Sequence, residues 1–241
     1  MRAILLAAGW GTRLGPEHDG STKALLRIGN RRAIDWAADA AEALKRVHAI
    51  DVLANEQSLA AIAAWAADRA GRLPLRVLGN GVSSHTKRRG AVADLAGYVA
   101  SASVDEDLLV LAADNVFDFS LAKLAERMRR TPTVVTYDVG SFEKVRRYAS
   151  VDLTAEGVVT ALVEKDPNPT STLAVTAAYG IPRSRLADLA AYLADGHPPD
   201  NLGHLAEWWC ARGCLEAERG EGTWIDIGSP DDLIRARQLL G

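Results

Sequence analysis

The chain has 241 residues, 48% of them hydrophobic, and a formal net charge of -3, which suits one substantial α/β core. Its basic residues are scattered among acids and leave no footprint for nucleic acid. No apolar run approaches the roughly 20 residues that span a bilayer, and the N-terminus enters a strand without the segments of a signal peptide, so the expectation is a cytoplasmic protein with neither a nucleic-acid nor a membrane partner.

Short apolar runs alternate with alanine-rich helical patterns from the start. A strand over 2–8 precedes a helix near 33–46, a strand at 49–54, a helix near 57–71 and a strand at 75–78. A polar loop over 79–90 leads to a helix near 91–101 and to the strand 108–113, which ends at Asp114-Asn115. Such alternation predicts parallel strands joined by crossover helices. After a helix near 119–129, strands at 133–138, 146–153, 157–163 and 173–181 follow in quick succession, predicting an antiparallel lobe. Helices at 183–195 and 201–212, strands at 214–218 and 224–227, and a helix over 230–240 complete the chain. Ser229 and Pro230, with acids behind them, mark that helix's start. No repeat or linker divides the chain, so one domain over 1–241 is expected, with an N-terminal part over about 1–130 and a C-terminal part over about 131–241.

The first strand runs into Ala7-Ala8-Gly9-Trp10-Gly11-Thr12-Arg13-Leu14, with Lys23 beyond. Two glycines around one residue let backbone N–H groups close on anionic oxygens, and Arg13 and Lys23 supply positive charge. Leu14 stands where a dinucleotide fingerprint needs its third glycine, and the Gly-Lys-Ser/Thr closure of a Walker loop is missing. On these residues alone a polyphosphate cradle and an ordinary strand-to-helix turn both remain open.

Ligands of an open α/β sheet sit beyond the carboxyl ends of its parallel strands, where Gly9 to Arg13 and Asp114 both fall. A bound triphosphate needs a hard cation, and Mg²⁺ takes only one or two protein carboxylates; Asp114 and Asp226 are the candidates. Each has an ordinary alternative, Asp114 as a helix cap and Asp226 as a partner of the turn at Gly228. Only Cys210 and Cys214 are cysteines, four apart with no second pair, and they read as buried thiols.

Five ordered motifs carry a resemblance: Leu6-Ala-Ala-Gly-x-Gly-Thr-Arg-Leu14, Lys23-Ala-Leu-Leu26, Leu111-Ala-Ala-Asp-Asn-Val-Phe117, Val163-Glu-Lys-Asp-Pro-Asn-Pro-Thr-Ser171 and Trp224-Ile-Asp-Ile-Gly-Ser-Pro230. Together they resemble the sugar-1-phosphate nucleotidyltransferase family, the glucose-1-phosphate thymidylyltransferase branch above all, nearly end to end. The resemblance implies an α/β, Rossmann-like (glycosyltransferase-A-like) fold with a mixed, mostly parallel sheet flanked by helices and a small antiparallel acceptor-binding lobe. It implies transfer of a nucleoside monophosphate from an NTP to a phosphorylated small-molecule acceptor, with Mg²⁺ as cofactor. Ala8, Gly9, Gly11, Thr12, Arg13, Lys23 and Asp114 would hold the nucleotide, with Asn80, Gly81, His85 and Gly90 at its base. Asp114 and Asp226 would bind the metal, and Asn115, Ala149, Glu164, Lys165 and Ala177 the acceptor. Arg13, Lys23 and Lys165 would offset charge in the reaction, and relatives of this kind often form homo-oligomers.

The chain departs from the family pattern twice. Tyr148-Ala149-Ser150-Val151 stands for Tyr-Gly-Val, and Thr176-Ala177-Ala178-Tyr179 for Thr-Gly-x-Tyr, so two glycines expected at the acceptor have become alanines. Either the acceptor is a modified one, such as a deoxy or amino sugar, a cyclitol phosphate or a small phosphonate, or neighbouring backbone absorbs the methyls. A cytidylyltransferase for a phosphocholine-like substrate shares parts of the signature, with Trp208, Trp209 and Trp224 available to cage a quaternary ammonium. A nucleotide-sensing protein without turnover is the non-enzymatic alternative.

Overall fold

The computed structural model describes residues 1–12, 22–69 and 71–241. In chain order it contains β1 (Arg2–Leu6), β2 (Arg27–Ile28), β3 (Arg31–Arg32), α1 (Ala33–Glu42), β4 (Ala49–Ala54), α2 (Leu59–Asp68) and β5 (Leu75–Gly79). Then come α3 (Ala91–Ser101), β6 (Leu108–Ala112), β7 (Asn115–Phe117), α4 (Ala122–Arg127), β8 (Thr133–Asp138), α5 (Phe142–Val145), β9 (Ala149–Leu153), β10 (Val159–Glu164) and β11 (Leu173–Ile181). The chain ends with α6 (Ala187–Ala194), α7 (Leu202–Ala211), β12 (Glu216–Arg219), β13 (Trp224–Asp226) and α8 (Pro230–Leu240). The fold is α/β, a mixed sheet flanked by helices with small antiparallel sheets besides. Among the described residues no helix is long and apolar enough to cross a membrane.

The chain forms two compact units. The first comprises Met1–Arg88, Val110–Phe119 and Gly222–Gly241, and the second Arg89–Leu109 and Ser120–Glu221. In the first unit β1, β4 and β5 are parallel, with Leu5 opposite Val52 and Val52 opposite Val77. β1 and β4 are covered on both faces, so they read as nearly continuous apolar runs; Ile4, Leu5, Ile50 and Val52 are fully buried, whereas Arg76 and Gly79 of β5 are exposed. Asp51 is the exception within β4. Its carboxylate is buried but receives Arg76 Nε at 2.8 Å and Nη2 at 2.6 Å, the bidentate pairing that compensates a desolvated charge.

The last 20 residues return to this unit, where β13 pairs antiparallel with β7 in the register Trp224 to Phe117 and Asp226 to Asn115. Ile225 and Ile227 join Leu26, Ile28, Trp36, Val116 and Leu233 in a shared apolar cluster. That packing holds α8, whose Ser229 hydroxyl caps it by accepting from Asp232 N at 3.3 Å.

In the second unit β9 pairs antiparallel with β10 and β11, and β11 with β8, while β12 runs parallel to β8. A register shift between Val175 and Tyr179 puts Ala177 in a bulge of β11. The strand expected over 146–153 begins only at Ala149, after the short helix α5, which the Ser141 hydroxyl caps. Local side-chain capping decides that stretch. The helix expected over 183–195 is split by its start, a 3-10 turn at Arg183–Arg185 before α6.

Leu5 packs β1 just below the glycine loop and is 0% exposed. Leu5→Ala is expected to lower unfolding free energy by about 2–5 kcal/mol, read from urea denaturation.

Candidate functional site

In the first unit, β1 delivers Ala7 and Ala8 to a loop that the buried Asn55 fastens. Ala7 N donates to Leu53 O at 2.8 Å, and Asn55 Nδ2 donates to Ala8 O at 3.1 Å. Asn55 Oδ1 meanwhile accepts from Ser58 N at 2.9 Å, tying the loop to the start of α2. Gly11 has a φ of 63°, a left-handed conformation that favours glycine. Among the described residues, a side chain at Gly9 would meet nothing within 4 Å. Thr12 is exposed at the end of this stretch, and Arg13 lies outside the described residues.

Lys23 begins a 3-10 turn, and its Nζ reaches Asp114 Oδ2 at 3.1 Å with only 12% of its side chain exposed. Asp114 occupies the tight turn between β6 and β7. Ala113 N donating to Leu6 O and Ile227 N donating to Asp114 O, both at 3.0 Å, fix the turn. It is therefore not a helix cap. At Asp226 the turn contact is made by the backbone, Gly228 N donating to Asp226 O at 2.9 Å.

Asn115 connects the two acids. Its Nδ2 donates to Asp114 Oδ1 at 3.3 Å and to Asp226 Oδ1 at 3.1 Å, and its Oδ1 accepts from the buried Trp224 Nε1 at 2.7 Å. Two acids 112 positions apart in the sequence thus share one amide. Among the described residues no group of three or more acid, histidine or cysteine ligands forms. Two carboxylates beside a glycine loop are nonetheless a donor set that suits Mg²⁺, which retains water and phosphate oxygens as its remaining ligands.

Loop 79–90 is braced by its own polar contacts. Gly81 N donates to Glu56 Oε1 at 2.9 Å, and Val82 N to Asn80 Oδ1 at 3.0 Å. His85 stands edge-on to Trp10 of the glycine loop, with ring centroids 6.1 Å apart. Gly90, with a φ of 99°, belongs to the second unit, where a side chain would strike the Pro199 carbonyl. Close backbone packing therefore demands glycine there.

The second unit assembles Ala149, Glu164 and Gly203. Ala149 on β9 faces Glu164 on β10, and α7 lies so close that a Cβ on Gly203 would overlap Glu164 Oε2 and stand 3.3 Å from the Ala149 methyl. The methyl added at 149 is accommodated because 203 has none. Asn201 Nδ2 donates to Glu164 Oε1 at 3.4 Å, and Lys165 Nζ stands 3.8 Å from the same oxygen. Burial raises the Glu164 carboxyl above the usual range, opposed by Lys165 and His204 and reinforced by Glu207. The Tyr179 phenol is also pushed up, chiefly by burial and then by Glu164.

Lys165 has a φ of 54°, uncommon for a residue with a side chain. Its N–H still donates to Tyr148 O at 2.9 Å, closing the end of β10. The left-handed turn interrupts strand alternation just after Glu164, and the lysine side chain is 58% exposed while its neighbour's is 8%.

Sequence patterns did not single out Asn55, Glu56, Gly203 or the indole of Trp224 as parts of these sites. An asparagine at the end of a buried strand was the one available signal, at Asn55. The three tryptophans considered for an ammonium cage are otherwise engaged. Arg212 lies 3.7 Å over the Trp208 ring, Trp209 is fully buried with Nε1 donating to Asp188, and Trp224 serves Asn115. Cys210 and Cys214 are free and only half-buried, with thiols raised chiefly by desolvation.

Among curated proteins, the chain is 22% identical over its whole length to a UTP–glucose-1-phosphate uridylyltransferase, AglF, of Haloferax volcanii, covering 96% of that protein. It is also 22% identical to the low-salt glycan biosynthesis nucleotidyltransferase Agl11 of the same organism, spanning 66% of that longer chain. A crystal structure of a Bacillus anthracis protein described as a glucose-1-phosphate thymidylyltransferase, in complex with a sucrose, has the same fold. Its TM-score is 0.81 at 20% identity, over 99% of this chain and 94% of that one. The family model for nucleotidyl transferases matches residues 2–241. With that match running the length of the chain, the protein belongs to the nucleotidyl transferase family.

Proposed function

We propose that the protein transfers a nucleoside monophosphate from an NTP to a sugar 1-phosphate or a sugar-like phosphate, releasing pyrophosphate. The observation that carries the reading is the Lys23–Asp114–Asn115–Asp226 constellation beside the glycine loop. Family membership narrows the chemistry to nucleotidyl transfer. The names of the relatives, all sugar-nucleotide or glycan enzymes, support a sugar phosphate as acceptor. Arg212 over the Trp208 face and the burial of Trp209 and Trp224 favour that acceptor over a phosphocholine-like one.

An acceptor phosphate oxygen attacks the α-phosphorus, a new P–O bond forms, and the bond to the β-phosphate bridging oxygen breaks. No protein nucleophile is required, so the residues contribute alignment and charge compensation. Backbone N–H groups around Gly9 and Gly11 receive phosphate oxygens. Lys23 turns from Asp114 toward the triphosphate, Arg13 takes up charge on departing pyrophosphate, and Lys165 offsets repulsion between the two anions. Mg²⁺ held by Asp114 and Asp226 would supply Lewis-acid charge at the α- and β-phosphates. Glu164, ionised, accepts hydrogen bonds from acceptor hydroxyls. Asn80, Gly81 and His85 lie on the base side, and the methyl of Ala177 trims the acceptor space.

A matrix of the common NTPs against hexose, deoxy-hexose, amino-sugar and cyclitol phosphates, read by pyrophosphate release, tests the proposal; turnover confined to phosphocholine or absent throughout would end it. Asp114→Asn is expected to reduce pyrophosphate release about 1,000-fold, the scale of several kcal/mol of lost charge stabilisation. The partly exposed pair with Lys23 predicts a stability change within about 1 kcal/mol, checked by thermal melting.

Because burial raises Glu164, its ionised form is lost as pH falls at values above those of an ordinary glutamate. The acid limb of acceptor kcat/KM should therefore lie above the usual carboxylate range and disappear in Glu164→Gln. For stability the sign reverses: ionisation is disfavoured in the fold, so raising pH from the unfolded value through the folded one destabilises the native state, and Glu164→Gln should melt higher at neutral pH. Lys165→Gly, relieving a left-handed residue, is expected to gain about 1 kcal/mol in unfolding free energy while raising the acceptor KM, separating backbone strain from charge.

A further inference from the structure

We infer that Asn115 and Trp224 together form a positioning device for the divalent cation, with the Trp224 indole setting which way the Asn115 amide points. The inference rests on the metal role proposed for Asp114 and Asp226. An asparagine amide offers two donor hydrogens on one side and an acceptor on the other. Here the NH₂ group serves both carboxylates, at 3.3 and 3.1 Å, while Oδ1 faces Trp224 Nε1 at 2.7 Å. Indole N–H is only a donor, so a flipped amide would set NH₂ against N–H and a carbonyl oxygen against two carboxylates. Trp224 thereby excludes one of the two amide orientations.

The strand register makes the relay available. Asp226 lies opposite Asn115, and Trp224 two positions earlier lies on the same face of β13, within diagonal reach of Asn115 on β7. Asn115 and Trp224 are each 4% exposed, so water is largely excluded as a substitute partner for either group. With its NH₂ shared, the amide lets two like charges approach one point. Polar partners of this kind are worth about 10–100-fold in metal affinity.

Mn²⁺ titration of the full chain, followed by loss of the free-ion electron paramagnetic resonance signal, tests the device without turnover. Wild type is expected to bind one ion, and Asp226→Asn to lose it. Trp224→Phe, which keeps the ring and removes the donor, should raise the Mn²⁺ dissociation constant up to about 10-fold, and Asn115→Ala about 10–100-fold. Melting temperatures recorded beside the titrations confirm that each variant is folded. In the activity assay, raised Mg²⁺ should restore most of the pyrophosphate release in Trp224→Phe, shifting half-saturation in Mg²⁺ rather than kcat. Wild-type Mn²⁺ affinity in both folded variants would overturn the inference while leaving the metal role of the aspartates standing. No Mn²⁺ uptake by wild type, or undiminished uptake by Asp226→Asn, would remove that role and the inference with it.

Discussion

Two carboxylates, one from the middle of the sequence and one from near its end, stand against the same amide, and the site depends on that shared partner. Asn115 hydrogen-bonds both acids, and Lys23 places a positive charge on the outer oxygen of Asp114. Neither contact alone holds the site. A partly exposed ion pair is worth at most about 1 kcal/mol, and a hydrogen bond to a charged group about 1.5–3 kcal/mol. The bracket persists because β7 and β13 are paired through Val116 and Ile225, whose side chains lie in a common apolar cluster with α8. Apolar burial on one face of this small sheet supplies the rigidity, and the polar constellation is assembled on it.

Chain order alone does not predict that assembly. The segment Gly222–Gly241 belongs with the N-terminal elements of the first unit, although more than 100 residues of the second unit intervene. Loop closure over such a length costs only slightly more than over a shorter one, because the penalty grows with the logarithm of length. A fold can therefore recruit a carboxylate from its last strand at little thermodynamic cost, provided that strand finds a partner. β7 is that partner, and it is only three residues long.

The long periodic elements were legible because burial on both faces leaves continuous apolar runs, as in Leu108–Ala112, and helices repeat alanine and leucine, as in Leu202–Ala211. The two-residue strands Arg27–Ile28 and Arg31–Arg32 were not, since the run Arg27-Ile-Gly-Asn-Arg-Arg32 carries only one apolar side chain to show a period. Asp114 and Asp226 were legible as acids at strand ends. Their common partner was not, because an asparagine beside an aspartate has no sequence signature, and the diagonal reach of Trp224 depends on a register set by distant packing. Arg13 belongs to the same motif and lies outside the described residues.

The acceptor side shows why departures from a family pattern have to be read in three dimensions. An alanine at 149 seemed to fill space intended for a ligand, yet its methyl faces Gly203, a residue without a Cβ on a helix more than 50 positions away. The methyl of Ala149 is accommodated between two protein elements, β9 and α7. Glu164 benefits from that closeness, since a bulkier residue at 203 would displace its carboxylate. The same closeness desolvates the acid and raises its proton affinity. Lys165 is carried out of the strand by its left-handed backbone into water, so one dipeptide presents a buried acceptor of hydroxyl hydrogens and an exposed cation for phosphate. A polyhydroxylated phosphate has both kinds of group, and the chemistry of this dipeptide matches such an acceptor better than one bearing only a phosphate and an apolar or quaternary tail.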